Sequence, residues 1–351
     1  MIKYIIRRIF MMIPTLFGIT ILSFVIINLA PGSPVEQRLQ QLRMGEGAGG
    51  ASGGDSGGHA GISGQGSSSG ASKELIEALN RQYGFDKPVL VRYAIWIKNI
   101  ATLNFGDSFK TEEPVLTVIA RTFPVSLQFG ILSMILVYIV CIPLGVIKAV
   151  RNGSAFDTIS SFFLFIAYSV PPLMLGVLLI VFFAGGTFYG WFPNAGIMSD
   201  NYADLTMWGK ILDRSHHFVL PLFCYMINSF TVLTFMMKNS LLDEVRLDYV
   251  RTARAKGLSD QVVIFKHALR NALIPLVTGV GGFLGVFLAG SLIIESVFSL
   301  NGIGLLGYTS ALTRDYNVLM ALIFISSVVS LLGRLISDIL YLIVDPRIDF
   351  N

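Results

Sequence analysis

The chain has 351 residues, of which 53% are hydrophobic and only 14% are charged, and its mean hydropathy is +0.68. A soluble domain of this length needs more charge on its surface, so this composition excludes a soluble protein and predicts a polytopic helical membrane protein. The net charge of +4 is modest and lies partly in loops, so it bears on membrane topology and does not indicate nucleic-acid binding.

The first predicted element is an apolar run next to the N-terminus. Residues Ile9–Ala30 carry no charge and follow Lys3, Arg7 and Arg8. The run is longer than the apolar part of a signal peptide, which is about 7–15 residues, and Pro31 would hinder cleavage directly after it. We therefore predict an uncleaved first transmembrane helix whose N-terminus is cytoplasmic.

A long polar region, residues 31–122, follows and is predicted to be periplasmic. Its middle, Gly45–Ser72, is almost entirely Gly, Ser and Ala, and such a segment cannot bury enough apolar surface to offset its chain entropy. It is expected to be a flexible insert, with or without a function of its own. A short helix over Lys73–Tyr83 and an amphipathic helix from Pro88 to about Ile100 are expected near the outer membrane interface.

Five more apolar runs are long enough to cross a hydrocarbon core of about 30 Å. They cover roughly residues 123–147, 157–184, 218–237, 271–294 and 318–344. The prolines Pro171 and Pro172 are expected to bend the third span. Every short loop with an excess of Lys and Arg then lies inside, so six spans place both termini in the cytoplasm. The predicted organisation is a first helix (1–30), a periplasmic region (31–122) and a membrane core (123–351).

Side chains that often carry chemistry are sparse. Cys141 and Cys224 fall inside apolar runs and are expected to be small buried hydrophobic residues. The adjacent His216 and His217 have no carboxylate or cysteine company, so they do not predict a metal site. The chain contains no GxxxxGK[ST] phosphate loop, no HExxH and no GxSxG, so any energy source is expected to be bound by another protein.

Two features of the last spans concern helix packing. Gly281 and Gly285 form a GxxxG pattern, which lets helices approach closely, either within this bundle or against a second subunit. Arg334 and Asp338 are four residues apart near the cytoplasmic end of the sixth span. They share one helix face, so either an ion pair between them or snorkelling of their side chains to the membrane surface is expected.

The most polar stretch between two long apolar runs is Asp248–Pro275, within a central loop of residues 238–270 that holds seven Lys and Arg residues. Gly257 divides it into two helix-like halves. The first half presents the small residues Thr252, Ala253 and Ala255, and the second has an apolar stripe of Leu258, Val262, Ile264, Phe265 and Leu269. The residues alone leave two interpretations open: a docking surface for another protein, or a solvated basic loop that sets topology.

This stretch resembles the EAA loop of the permease subunits of bacterial ABC importers. The segment ARAKGL (253–258), followed by H-x-LRNAL-x-P (267–275), is similar to the version in dipeptide and oligopeptide permeases. Asn301-Gly302 in place of the usual Pro-Gly, the Gly/Ser insert and the terminal DPRIDF are most similar to the B-type subunit of Yej-type peptide permeases. Outside the insert, the resemblance covers essentially the whole chain.

The resemblance implies a type I ABC importer permease fold of six transmembrane helices in the bacterial inner membrane. It implies alternating access, with the second and fifth spans lining the path. The chain itself would bind no cofactor, while ATP and Mg would bind to two cytoplasmic ATPase domains. The other implied partners are a second homologous permease subunit, a periplasmic peptide-binding protein and a peptide substrate. A coupling helix is expected around Tyr249–Lys266, and the residues expected to couple to the ATPase are Tyr249, Thr252, Ala253, Arg254, Ala255, Lys256, Gly257, Leu258, His267, Arg270 and Asn271.

Other functions remain alternatives at this point. A permease of the same family could carry a non-peptide substrate such as a metal chelate. An integral-membrane enzyme would need a polar catalytic set at membrane depth, and an ion-coupled carrier would need acids at mid-depth. The predicted spans offer only Arg334 and Asp338, near one edge. Substrate-binding residues are not assigned by the sequence.

Overall fold

A computed structural model of the protein describes residues 2–29, 87–186, 188–288 and 290–344. Over these residues the secondary structure is helical, apart from one isolated bridge between Asp107 and Pro114, so the predicted all-α class is confirmed. The described residues form two compact units. One lies within residues 1–17, 120–308 and 324–351, and the other lies within residues 18–119 and 309–323.

The α-helices are numbered in chain order. The first six are α1 (Ile2–Leu29), α2 (Val89–Ala101), α3 (Val115–Val150), α4 (Ala155–Ser169), α5 (Pro172–Leu179) and α6 (Met207–Val245). The central loop contains α7 (Asp248–Ala255), α8 (Asp260–Val262) and α9 (Leu269–Ala272), followed by α10 (Ile274–Leu288), α11 (Leu292–Val297), α12 (Ile303–Leu312) and α13 (Tyr316–Val344). Two π-helical segments, Ile180–Ala184 and Val263–Ala268, continue α5 and join α8 to α9.

In the described part of the chain, five helices are long and apolar enough to cross a membrane, and a sixth span results if the bent pair α4–α5 counts as one. The number agrees with the six predicted spans, but the helix that corresponds to the fifth covers Asp260–Gly282 and so begins earlier than the predicted 271–294. The bend in the third span is 95°, because Val170 is extended and neither Pro171 nor Pro172 has a backbone N–H to continue the helix. The predicted Gly45–Ser72 insert and Lys73–Tyr83 helix lie outside the described residues.

The fourth span is longer than predicted. The external loop was expected to reach Phe218, but α6 already begins at Met207, where the Thr206 hydroxyl accepts a bond of 3.3 Å from the Gly209 N–H. The Asp213 carboxylate, one turn further on, accepts bonds from the hydroxyl (2.5 Å) and N–H (3.0 Å) of Ser199. Hydropathy missed this extension because the added turns are polar.

The larger unit has two buried apolar clusters, one of which joins α3 and α6 to the segment from α7 to α10. The Tyr138 hydroxyl donates to the Leu276 carbonyl at 2.8 Å across this cluster. Cys141 and Cys224 are buried free thiols, which confirms their expected role as small buried residues. A Cβ on Gly281 would overlap the backbone of Gly333 on α13, so this glycine of the GxxxG pattern packs within its own bundle.

Of the two interpretations of Arg334 and Asp338, the ion pair between them is wrong. Asp338 instead pairs with Arg8 of α1, with 3.0 Å between Arg8 Nε and Asp338 Oδ2, while Arg334 is exposed. A helix from the other end of the chain supplies the partner, and spacing along one helix could not reveal it.

The smaller unit gathers aromatic side chains around α2. The predicted amphipathic helix is confirmed as Val89–Ala101. Its Tyr93 and Trp96 pack around Phe24, with ring centroids 5.2 Å and 6.1 Å from it, and the Tyr93 hydroxyl lies 3.0 Å from that of Thr20. In this unit the buried Ser108 hydroxyl also donates to Asp315 at 2.5 Å, which joins the segment before α3 to the start of α13.

Candidate functional site

The central loop contains more helix than its sequence predicted. α6 continues to Val245, so the first eight residues of the predicted loop are helical. After α7 the chain turns at Gly257 and enters α8. The expected coupling helix, Tyr249–Lys266, therefore comprises most of α7, the turn at Gly257, α8 and the first residues of the π-helical segment.

Gly257 is needed at the turn for its backbone conformation. Its φ is +82°, in the left-handed region that disfavours residues with a Cβ. A Cβ built there would meet no atom within 4 Å, so space within this chain is not the constraint. Arg254 Nε donates to Asp260 Oδ1 at 3.0 Å across the turn. The pair is exposed, so it adds little to stability, but it links the ends of α7 and α8.

Tyr249 fastens α7 to the membrane helices. Its hydroxyl donates to Glu244 Oε2 at 2.5 Å, near the end of α6, and accepts a bond of 3.2 Å from Asn271 Nδ2 on α9. Burial, and then the bond to Glu244, raise the pKa of Tyr249 to about 12, so the hydroxyl stays protonated at neutral pH and continues to donate. Tyr249 and Asn271, both predicted site residues, are thus brought together as an anchor.

Ala253 is not part of the exposed small-residue surface that was predicted for the first half of the loop. It is only 9% exposed and packs with the fully buried Val250 into the core of the larger unit, alongside Val263, Ala268 and Leu241. Thr252 and Ala255 are exposed as expected. The small size of Ala253 therefore serves packing within this chain, and it offers no surface to a partner.

The predicted apolar stripe is divided between two faces. Leu258, Val262 and Phe265 are exposed, Phe265 to 59%, whereas Ile264 and Leu269 pack partly against the core. The π-helical segment Val263–Ala268 inserts extra backbone into the turn, so the simple helical spacing assumed from sequence does not hold there.

The exposed side of the loop combines apolar and basic groups. We call it the loop face and define it as Leu258, Val262 and Phe265 together with the exposed cations Arg251, Arg254, Lys256, Lys266 and Arg270. Of the remaining predicted site residues, His267 is half-buried. An exposed apolar patch rimmed by charge is typical of a protein interaction surface.

A buried ion cluster beneath the loop was not anticipated. Lys148 and Lys238 had been treated as loop charges that set topology, but both bind Asp157. The distances are 3.1 Å from Lys148 Nζ to Oδ1 and 2.7 Å from Lys238 Nζ to Oδ2. Lys148 is 0% exposed, and its Nζ also donates to the hydroxyls of Ser160 and Ser161 at 2.7 Å. The cluster ties together α3, α4 and α6, and the acid at the start of the third apolar run was its only sequence signal.

Glu295, directly after the predicted fifth span, is a second buried acid whose role the sequence did not indicate. Its side chain is 0% exposed and accepts hydrogen bonds from the Ser126 hydroxyl (2.8 Å), the Tyr225 hydroxyl (3.4 Å) and the backbone N–H groups of Ser291 (3.2 Å) and Leu305 (2.8 Å). A Cβ on Gly302 would overlap this carboxyl group, which gives the physical reason for Gly in the Asn301-Gly302 pair.

Comparison with known proteins agrees with these features. Residues 141–350 match the family described as binding-protein-dependent transport system inner membrane component. The chain is 44% identical to the peptidoglycan transport system permease protein YejB of Agrobacterium fabrum, over 99% of this chain and 98% of that one. It is 42% identical to the inner membrane ABC transporter permease protein YejB of Escherichia coli O157:H7, over 99% of both chains.

A more distant relative also matches over its full length. The oligopeptide transport system permease protein AppB of Bacillus subtilis is 37% identical over all of both chains. Among solved structures, the MetNI methionine ABC transporter in inward-facing conformations matches with a TM-score of 0.46 and 19% identity, covering 64% of this chain and 97% of that one.

Proposed function

This chain belongs to the family of inner membrane components of binding-protein-dependent transport systems, and on that premise we propose that it is the membrane-spanning permease subunit of an ATP-driven peptide importer. Its full-length relatives are named as permeases for peptidoglycan and for oligopeptides. Both substrates contain peptide bonds, so a peptide or a peptide-bearing cell-wall fragment is the proposed cargo.

The loop face is the observation that carries the proposal. It lies in the central loop of residues 238–270, where Leu258, Val262 and Phe265 are exposed among five exposed cations. Exposed apolar side chains among cations suit a partner groove with apolar walls and acidic groups. We propose that this groove belongs to a cytoplasmic ATPase subunit, which binds the ATP and Mg that this chain lacks a motif to hold.

The hydrogen bonds that hold α7 in place connect the loop face to the membrane helices. Tyr249 links it to α6 through Glu244 and to α9 through Asn271, and the Ser240 hydroxyl donates to the Ala272 carbonyl at 2.7 Å. Force on the loop face therefore reaches α6 and α10 through bonded and packed groups. In the proposed cycle, closure of two ATPase subunits moves these helices and switches the open side of a pore shared with a second permease subunit, after a periplasmic binding protein delivers the peptide.

Substitution of Gly257 tests the coupling role. In the left-handed region, Val is strongly disfavoured by its branched Cβ, whereas Asn adopts this conformation readily. We expect Gly257→Val to displace α8 and cut peptide-stimulated ATP hydrolysis and uptake by about tenfold, the effect of a strain of about 1–2 kcal/mol, while Gly257→Asn keeps most activity. Both are measured on reconstituted complexes of equal subunit content. Full uptake by the Val variant would refute the coupling role of this turn.

The side of the membrane that the loop faces is tested separately. Ser259 is exposed beside the turn, and its replacement by Cys in a chain lacking Cys141 and Cys224 gives one reactive thiol. We expect a membrane-impermeant thiol reagent to label Ser259→Cys in inverted vesicles and not in spheroplasts. Labelling in spheroplasts instead would place the loop away from ATP and overturn the importer proposal. A Ser63→Cys variant, predicted to be periplasmic, serves as the reversed control.

A further inference from the structure

The break in the third span exposes backbone polar groups. α4 ends at Ser169, so the carbonyls of its last turn have no partner within the helix. Val170 is extended, and the following Pro171 and Pro172 have no N–H. Within a bilayer, such backbone is tolerated only where it is buried in protein or lines an aqueous cavity.

The predicted topology and the helix lengths place the break near mid-depth in the membrane. Asp157 and Lys238 are bonded to each other, and each lies next to a loop that the charge pattern predicts to be cytoplasmic, so the pair supplies a common reference level. Ser169 is twelve residues beyond Asp157 and Asn228 is ten residues before Lys238, which is about 18 Å and about 15 Å along their helices. A hydrocarbon core is about 30 Å thick, so both residues fall near its centre.

A cavity of about 420 Å³ lies between the break and α6. Its polar lining comes from Tyr168, Ser169, Asn228 and Ser229, and its apolar lining comes from Val170, both prolines and Val232. Among the described residues, the side chains of Tyr168, Asn228 and Ser229 make no hydrogen bond. Unpaired polar groups at this depth cost free energy in contact with lipid, so this face is expected to meet water or a polar ligand.

A second cavity between the same helices provides an internal contrast. It also measures about 420 Å³, and it is lined by Leu144, Ser160, Phe163, Leu164, Ala167, Phe223, Met226, Ile227 and Phe230. Its one polar side chain, Ser160, already accepts a bond from Lys148. Of these two cavities, only the one at the break is lined by polar side chains without hydrogen-bond partners among the described residues.

We propose that the cavity at the break is a mid-membrane binding site for the main chain of the transported peptide. The inference rests on the proposed peptide importer function and assigns its substrate contacts to specific residues. The carbonyls at the end of α4 accept hydrogen bonds from peptide N–H groups or from a terminal ammonium group. The Asn228 amide both donates and accepts, so it pairs with a peptide unit in either sense. Since main-chain groups are common to all peptides, the site binds peptides with little selectivity among side chains.

Adjacent substitutions on α6 test the proposal. Asn228→Leu removes the amide at similar size, while Ile227→Leu, the matched control, changes only the apolar cavity. The complex is reconstituted with its partner subunits and assayed for uptake of labelled trialanine and of a stem tripeptide from peptidoglycan. We expect Asn228→Leu to lower uptake of the transported probe about tenfold, as for one lost hydrogen bond, and Ile227→Leu to leave it unchanged. Equal uptake by both variants, with the wild type active, would overturn the site.

Thiol accessibility gives a second readout that does not depend on the fold of the Asn228 variant. In a chain without Cys141 and Cys224, Ser229→Cys is expected to react with a charged methanethiosulfonate, and the transported peptide is expected to slow this reaction at least severalfold. Phe163→Cys, in the apolar cavity, is expected to react slowly with or without peptide. A Ser229→Cys thiol that stays unreactive would place this face against lipid or another subunit and refute the proposal. If the wild-type complex takes up neither probe, while Ser229→Cys is reactive and unprotected, the peptide importer function fails as well as the site.

Discussion

Replacing Asp157 by Ala is expected to prevent stable folding of the permease. The change leaves Lys148, which is fully buried, and Lys238, which is nearly so, without their shared counter-ion. Breaking a buried ion pair by removing one partner costs about 3–5 kcal/mol, because the remaining charge is still desolvated. Here two like charges also remain close to each other. A loss of this size is a large part of the stability of a typical domain.

The measurement is the yield of monodisperse protein extracted in detergent, together with its thermal unfolding midpoint. Asp243→Ala is the matched control, since Asp243 is an exposed carboxylate near the end of the same α6 that carries Lys238. We expect the Asp243 variant to behave like the wild type. An Asp157→Ala protein with wild-type yield and midpoint would show that the cluster contributes nothing to stability.

Glu295→Leu is expected to have the second large effect. Leu fills a similar volume but accepts no hydrogen bond, so the hydroxyls of Ser126 and Tyr225 and the Leu305 N–H lose this acceptor, while the Ser291 N–H keeps only the Tyr225 hydroxyl. Each buried group left unpaired costs about 1–3 kcal/mol. The segment from Gly290 to Leu305 is wrapped around this carboxyl group, with Gly290 and Gly302 in direct contact with it, so we expect the whole segment to lose its conformation.

Two further variants separate hydrogen bonding from general disruption. Glu295→Gln keeps one acceptor oxygen and is expected to be affected less than Glu295→Leu. Ser296→Leu changes the next residue, which is exposed, and is expected to leave the protein intact. Limited proteolysis and thermal unfolding of the purified variants report the effect. A Leu variant as resistant and as stable as the Ser296 variant would rule out the proposed role of Glu295 in holding this segment.

Hydropathy and a few local motifs determined much of this protein from its sequence. The spans were predictable because crossing a membrane requires a certain length of apolar helix, whatever its neighbours are. The bend at Pro171-Pro172 and the turn at Gly257 were also predictable from sequence, because a missing N–H and a positive φ are properties of the local backbone. Membership of the permease family followed from the motif around that turn.

Only the tertiary structure decided which polar groups meet. Asp338 could have paired with Arg334 four residues away, yet it pairs with Arg8, which is 330 residues distant in sequence. In the sequence, Lys148 and Lys238 are indistinguishable from other lysines in or near cytoplasmic loops. Only the packing of α3 and α6 brings both of them to the carboxylate of Asp157. Ala253 faces inward with Val250, three residues earlier on α7, because α7 packs against Leu241 of α6 and against the π-helical segment that holds Val263 and Ala268. These outcomes depend on packing between distant helices, and the spacing of residues along one helix contains no information about that packing.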